Sequence, residues 1–368
     1  MRILLTATSL LPRYGGPAFS VSRLAWALTE SGAEVGLWAS DQTAIETPLL
    51  PAGLSVQRMV GTPDEVLDGF GKTDILHDNG IWLQHNHRLA VLATRRGIPR
   101  VVSTRGMLEP WAVHHKRLKK SLAWRFYQRR DLIRACCHHT TAEPESRNLD
   151  RLGLGVPVVA IPNGIDVPER PSIVQSDAAK TVGGRRRTAL FLGRICPVKG
   201  LPMLVEAWAH IRPVGWHLQI AGPDEAGHQK QVERAVSVAG LGDAVSFTGP
   251  LGDQLKKSAF LEADLLVLPS HSESFGMVVA EALAHGLPVL TTKAAPWSIL
   301  RDRGCGWWVD STVEGVAEGL RVATTLDPQI LQAMGRKGRE LVLSEFGWPR
   351  VAKLFLCLYQ GILANRRS

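Results

Sequence analysis

No Asp-x-Asp pair occurs in these 368 residues, and neither does a P-loop or a complete G-x-G-x-x-G. The first absence removes the carboxylate dyad with which many transferases hold a divalent metal, so no metal and no cofactor are expected. The other two disfavour ATPase and dinucleotide redox chemistry. Cysteine is scarce: Cys136, Cys137, Cys196, Cys305 and Cys357 are odd in number and share no metal-ligand spacing, which favours reduced thiols over a disulfide framework. No stretch reaches the roughly 20 apolar residues of a membrane span. The opening MRILLTA lacks the basic start, long apolar region and cleavage site of a secretory signal and reads as a buried strand, so a cytoplasmic location is expected. Zinc-finger spacing and aromatic-basic sheet motifs are missing as well, which disfavours nucleic acid as a partner.

What is present is an ordinary soluble composition, 45% hydrophobic and 21% charged, in a chain longer than one core comfortably supports. Short apolar runs (RILLTA, EVGLWAS, DILH, RVVST, CCHHTTA, VPVVAIP) alternate with helical segments in the first half. A second series (TALFLG, WHLQIAG, AVSFTG, DLLVLP, PVLTT) follows the polar, proline-bearing stretch Asp166 to Arg187, the best linker. The pattern predicts an α/β protein with two doubly wound parallel sheets, each covered on both faces. The expected divisions are 1–168, 185–347 and a terminal helix over 348–368. Leu354, Leu358 and Ile362 recur at helical spacing there and need a surface to bury against. The strand ends of the two domains are expected to meet in an interdomain cleft.

Chemistry concentrates where strands give way to turns. Glu273 and Glu281 bracket ESFGMVVAE, just after the strand DLLVLP, with Gly276 at the apex of a strand-to-helix turn. Open α/β sheets bind ligands outside the carboxyl ends of their strands. The helix that follows offers free N–H groups and a positive dipole end, which suit a phosphate. The two acids would repel a phosphate but can hold hydroxyl groups. A ligand with phosphates in the middle and hydroxylated rings at both ends is a nucleotide sugar. Arg194 and Lys199, in FLGRICPVKG after another strand, supply the cations that a diphosphate and its departing charge need. A paired-carboxylate hydrolase is the rival reading of the two acids, but it leaves the cations and glycine loops without a role.

Three further loops lie at strand ends in the first half. Gly15 and Gly16, in RYGGPAFS, let backbone approach a bulky ligand, or serve only as a tight connection. His77 and Asn79, in DILHDNGIW, could bond acceptor hydroxyls, or His77 is a satisfied structural histidine. Arg105, in STRGMLEPW, could hold an acidic acceptor or the leaving phosphate, or sit in an internal salt bridge. The net charge of +9 is spread over both halves, with a local excess at 114–134, where eight basic side chains face one acid, Asp131. Leu118, Leu122 and Phe126 share a helical face here. One reading puts that stripe on the core; the other docks the helix on an anionic bilayer, with Trp124 and Tyr127 at the interface.

Together these residues resemble the family-4 retaining glycosyltransferases of the GT-B fold, over nearly the whole chain from GGP at 15–17 to GW at 347–348. The most specific part is PSHSESFGMVVAEALAHGLPVL, with GRICPVKG and PNGID beside it; RGMLEPWAVHHKRLKKSLAW resembles a surface-polysaccharide branch. The resemblance implies two facing Rossmann-like domains and hexosyl transfer, with retention, from a nucleoside diphosphate sugar to a lipid-linked glycan acceptor in exopolysaccharide biosynthesis. It implies that Glu273 contacts the donor sugar and Glu281 the ribose, and that Arg194 and Lys199 bind the diphosphate. Backbone near Ser274, Phe275 and Gly276 would meet the distal phosphate, and Gly15 and Gly16 would close over it. The last helix would return to the first domain, and the enzyme would work peripherally on the inner membrane face. Many members carry a histidine where this chain has Arg105. A sugar-nucleotide epimerase of the same architecture and a silent nucleotide-sugar-binding scaffold are the alternatives.

Overall fold

Runs such as RILLTA and LLVL are too short for helices and apolar on both faces, so they satisfy their backbone groups only as inner strands of a covered sheet. A computed structural model describes residues 1–50, 55–109, 117–168 and 186–366. The chain divides into two compact units, Met1–Gly164 with Gly347–Ser368, and Ile165–Phe346.

The first unit is a seven-stranded sheet of order β3-β2-β1-β4-β5-β6-β7, with every pairing parallel. Its strands are β1 (Arg2–Ala7), β2 (Glu34–Ala39), β3 (Gln57–Met59), β4 (Ile75–Asn79), β5 (Arg100–Ser103), β6 (Cys137–Thr140) and β7 (Val158–Ala160). Helices α1 (Gly16–Glu30), α2 (Pro63–Phe70) and α3 (Gln84–Arg95) connect the earlier strands. The edge strand β3 and helix α2 are additions to the elements expected from sequence. Thr62 starts α2 with a reciprocal capping box to Glu65, which satisfies two otherwise orphaned N–H groups.

The terminal helix (Trp348–Ala364) belongs to this unit. Its buried face is Trp348, Val351, Ala352, Phe355 and Tyr359, in one cluster with Val21, Leu24, Ala25 and Leu28 of α1. The stripe expected to be buried is therefore corrected: Leu354 is exposed, and Leu358 and Ile362 are only the partly buried flank. Seating Phe355 and Tyr359 stabilises the unit by about 1.5–3 kcal/mol for each side chain.

The basic segment is broken into α4 (Arg117–Ala123), a π-helical turn (Trp124–Gln128) and α5 (Arg129–Ile133), and α6 (Glu143–Asp150) follows β6. Residues 114–116 of the expected helix, and Trp111, lie outside the described residues.

The second unit is a six-stranded parallel sheet of order β10-β9-β8-β11-β12-β13. It runs β8 (Arg187–Leu192), α7 (Leu201–Ile211), β9 (Trp216–Ala221), α8 (Gln229–Val238), β10 (Val245–Gly249), α9 (Asp253–Glu262), β11 (Leu265–Leu268), α10 (Met277–Ala284), β12 (Val289–Thr292), α11 (Ile299–Asp302), β13 (Gly306–Val309), α12 (Val313–Thr325) and α13 (Pro328–Glu345). One apolar core joins Phe191, Leu218, Leu266 and Leu290 of the sheet to Leu204, Val279 and Leu320 of the helices. Most of the expected linker, residues 169–185, falls outside the described residues.

Candidate active site

In the second unit the strand order reverses between β9-β8 and β8-β11, the position where open α/β sheets form a ligand crevice. Two loops at those strand ends bring Lys199 and Glu273 together. Lys199 sits on a one-turn 3-10 helix, Pro197–Lys199, after β8, and Glu273 sits in the loop after β11. Lys199 Nζ and Glu273 Oε1 are 2.5 Å apart, with side chains only 15% and 11% exposed. The same carboxylate oxygen accepts the Ser270 hydroxyl at 2.7 Å, and the Glu273 N–H donates to Ala294 O at 3.2 Å. Ser270 is fully buried, so the carboxylate is fixed from behind as well as by the lysine.

Gly276 then turns the chain into α10. Its φ of 79° is left-handed, and an L side chain there would be strained. Phe275 is buried against Trp297, and Trp297 Nε1 donates to the Phe275 carbonyl at 2.5 Å. That bond holds the turn so that the opening N–H groups of α10 leave the sheet at the strand ends. Glu281, on the second turn of α10, pairs with Lys256 of α9 at 2.7 Å. Lys256, Ser270 and Trp297 were not picked out from the sequence. Lys256 carries no local motif, whereas Ser270 lies inside the PSHSE stretch already singled out.

Arg194 is placed differently from its expected partner Lys199. Its guanidinium pairs with Glu225, in the loop after β9, at 2.6 Å, and the two side chains are 62% and 49% exposed. Gly15, before α1 in the first unit, has φ 80° and no atom within 4 Å of where a Cβ would stand, so it is required by backbone conformation rather than by crowding. Gly16 is the first residue of α1, followed by Pro17 in the first turn.

The acceptor-side candidates of the first unit separate into two groups. His77 is fully buried with both nitrogens occupied, so its expected role toward a ligand is corrected to a structural one. The proton positions follow from its neighbours. His139 Nε2 faces the Ile161 carbonyl at 2.8 Å and must donate, so His139 Nδ1 accepts from the Ser103 hydroxyl at 2.6 Å. Ser103 Oγ then accepts from His77 Nε2 at 2.6 Å, and His77 Nδ1 accepts from the Tyr359 hydroxyl at 2.6 Å. This one-way chain needs both imidazoles neutral. Burial holds His77 well below the usual histidine range and His139 at about 3, and it pushes Tyr359 well above the usual range.

Asn79 and Arg105 do meet. Arg105 Nη2 donates to Asn79 Oδ1 at 2.6 Å, and Nη1 donates to Asn163 Oδ1 at 2.9 Å and Ser20 Oγ at 3.2 Å. The internal salt bridge considered for Arg105 does not form: among the described residues no carboxylate lies within ion-pairing distance of it. Glu145, which sequence reasoning passed over, builds the turn beneath. Its Oε1 accepts from Gly106 N at 2.6 Å and Thr104 Oγ1 at 2.8 Å, and its Oε2 accepts from Thr141 N at 3.0 Å.

On the basic segment, Trp124 and Tyr127 are corrected from interfacial residues to anchors. Tyr127 donates to the Trp82 carbonyl at 2.7 Å, Gln128 accepts from Trp82 N at 2.7 Å, and Trp124 lies 6.2 Å from the Trp82 ring. With that face turned inward, Leu118 is 83% and Phe126 70% exposed, and Leu122 is exposed too, so the stripe is not on the core. Beside it Trp124, Arg125, Arg129, Arg130, Ile133 and Arg134 line a groove of about 480 Å³.

Two Rossmann-like units, each a parallel sheet with helices on both faces and loop-borne polar groups at its strand ends, define the GT-B class of fold. Residues 175–341 match the family model described as glycosyl transferases group 1, and residues 15–164 match the glycosyl transferase 4-like domain. The two models lie side by side and each matches less than half of the chain. Among solved structures it is similar to sucrose-phosphate synthase from Thermosynechococcus elongatus, at 20% identity over 99% of this chain and 100% of that one, with a TM-score of 0.75. It is also similar to Anabaena HepE in complex with UDP and glucose, at 20% identity, 98% and 100% coverage, and a TM-score of 0.73. Among curated relatives, a D-inositol 3-phosphate glycosyltransferase of Arthrobacter sp. (strain FB24) is 33% identical over 47% of this chain and 42% of its own length. The chain thus spans less than half of that relative.

Proposed function

We propose that this protein is a retaining glycosyltransferase that moves a hexosyl unit from a nucleoside diphosphate sugar to a lipid-linked glycan acceptor in surface-polysaccharide or exopolysaccharide biosynthesis. The observation that carries the reading is the Lys199–Glu273–Ser270 cluster beside the Gly276 turn and the start of α10. A cation, a carboxylate and a helix N-terminus at one strand-end crevice suit a diphosphate joined to a hydroxylated ring. The HepE complex with UDP and glucose, in the same fold, supports a nucleotide sugar as donor.

In this reading the bond between the anomeric carbon and the diphosphate oxygen breaks. The acceptor oxygen bonds to the same face of that carbon, and its proton passes to the departing phosphate. Lys199 meets the growing charge on the leaving group while Glu273 holds sugar hydroxyls, so the 2.5 Å pair of the free protein re-forms around the ligand. Glu281 serves the ribose, and no metal is needed for the charge. Arg194 joins the diphosphate by leaving Glu225. An exposed ion pair is worth only about 0–1 kcal/mol, less than a charge-assisted contact to phosphate returns.

The exposed Leu118, Leu122 and Phe126 stripe among basic side chains supports peripheral attachment to an anionic membrane face, where a lipid-linked acceptor would be found.

The test is incubation of the full chain with a panel of labelled nucleotide sugars and lipid-linked acceptors. Transfer from one donor, with the anomeric configuration kept, is the expected result. Folded protein that converts a nucleotide sugar without any acceptor would make it an epimerase. Binding without turnover of any donor would make it a scaffold.

A further inference from the structure

Arg105 carries a charge that makes no direct ion pair among the described residues. The side chain is half-buried, its Nε is fully covered and has no hydrogen-bond partner, and the oxygens around Nη1 and Nη2 belong to two amides and one hydroxyl. Neutral oxygens satisfy N–H groups but do not cancel a full positive charge removed from water. The nearest carboxylate, Glu145, takes its hydrogen bonds from Thr104, Gly106 and Thr141 and acts on the guanidinium only through space, without a direct ion pair. The two histidines of the adjacent chain are neutral, because their tautomers are fixed end to end. Other buried cations of the unit are treated otherwise. Arg100, which is buried, faces Asp78 at 3.2 Å.

The backbone shows the same commitment. Arg105 has φ 51°, a left-handed conformation that costs a non-glycine residue about 1–2 kcal/mol. The strain and the partnerless charge fall on one residue, at the carboxyl end of β5 and beside Asn79 at the end of β4. Ser20, a third partner, lies on the first turns of α1, a 15-residue helix whose N-terminus carries positive dipole charge.

We propose that Arg105, framed by Asn79, Asn163 and Ser20, is the binding site for an oxyanion carried by the acceptor, a phosphate or a carboxylate. The ligand charge supplies the direct ion pair that the described residues do not form, and the three fixed partners hold the guanidinium plane so that little freedom is lost on binding. Only the word acceptor rests on the transferase reading; the anion site stands on the first unit alone.

The experiment is thermal unfolding of the full chain against inorganic phosphate and, separately, acetate, with chloride at matched ionic strength as reference. Wild type, Arg105→Gln and Lys199→Gln are compared. A saturable rise in Tm of about 2–4 °C is expected in wild type and in Lys199→Gln, and its loss in Arg105→Gln. The stronger of the two anions identifies the group as phosphate or carboxylate. A rise that survives Arg105→Gln and vanishes in Lys199→Gln would assign the anion to the donor side and overturn the proposal, as would no rise in wild type. A merely structural clamp predicts equal anion responses in wild type and Arg105→Gln. The transfer assay is independent of this outcome, so the two readings fail separately.

Discussion

At the strand ends of the second unit Lys199 and Glu273 meet at 2.5 Å, and at those of the first Arg105 meets only amide and hydroxyl oxygens. Both cations follow a parallel strand, and both are partly withdrawn from water. The lysine is neutralised within its own site, and on the proposed reading it trades that partner for a ligand's phosphate while the freed carboxylate takes up hydroxyls. The arginine has nothing to trade. A paired charge suits a ligand that brings both an anion and donors; an unpaired one suits a ligand that brings an anion alone.

The largest effect is expected from breaking the paired side. Glu273→Gln keeps the shape but weakens the hold on both Lys199 and a sugar hydroxyl, and kcat/KM for transfer should fall by about 10²–10³. Retained activity in that variant would remove Glu273 from the chemistry.

An intermediate effect is expected beneath the unpaired side. Tyr359→Phe leaves His77 Nδ1 buried without its donor, which should cost about 1–3 kcal/mol in denaturant unfolding. The same histidines set a pH dependence. His139 is held at about 3 in the fold, against 6.5 for an ordinary histidine, and His77 is lowered too. The unfolded chain therefore binds protons first. The stability they contribute is complete above about pH 6.5 and is lost as pH falls toward 3. Asp78 works against this, because burial raises it to about 6 and its preference for the protonated form adds stability as pH drops through that value. The net midpoint should still fall on acidification from pH 7 to 4.5, since burial also lowers His85, His138, His217 and His285, against the raised carboxyls Asp78, Glu109 and Asp131. A midpoint that rises would refute the neutral assignment.

The smallest effect on stability is expected at the exposed stripe. Replacing Leu118 and Phe126 by serine should move unfolding by less than about 0.5 kcal/mol each, yet abolish flotation with vesicles containing anionic lipid. Equal flotation of the variant, or binding that ignores salt, would leave the stripe without a bilayer role.

Much of the fold was legible because buried parallel strands leave continuous apolar runs, and the turns after them carry glycine and proline. The same logic singled out Glu273 and Lys199, which the fold brings into contact, and the Gly276 turn beside them. What escaped was decided by partners distant in the chain. Nothing in ILHDN says that His77 is met by Tyr359, 282 residues on. The terminal helix carries two overlapping apolar stripes at helical spacing, and the sequence alone ranked Leu354, Leu358 and Ile362 above Val351, Phe355 and Tyr359. The buried hydroxyl contact and the fit against α1 choose between them. Arg194 was read with Lys199 because both flank the same glycines, but its exposed partner Glu225 comes from the loop after the neighbouring strand. In the basic segment, polarity hid the fact that the aromatic side, not the leucine side, faces inward.

The return of the last helix to the first unit has a consequence for synthesis on the ribosome. The unit made first lacks the surface that covers α1, and the hydroxyl that caps His77, until residue 359 has emerged from the exit tunnel. Without that helix the apolar face of α1 is uncovered, so the nascent chain should be protease-sensitive within residues 1–164 until Trp348–Ala364 has emerged. A stalled chain ending at residue 346 that resists cleavage there would show that the first unit closes without its final helix.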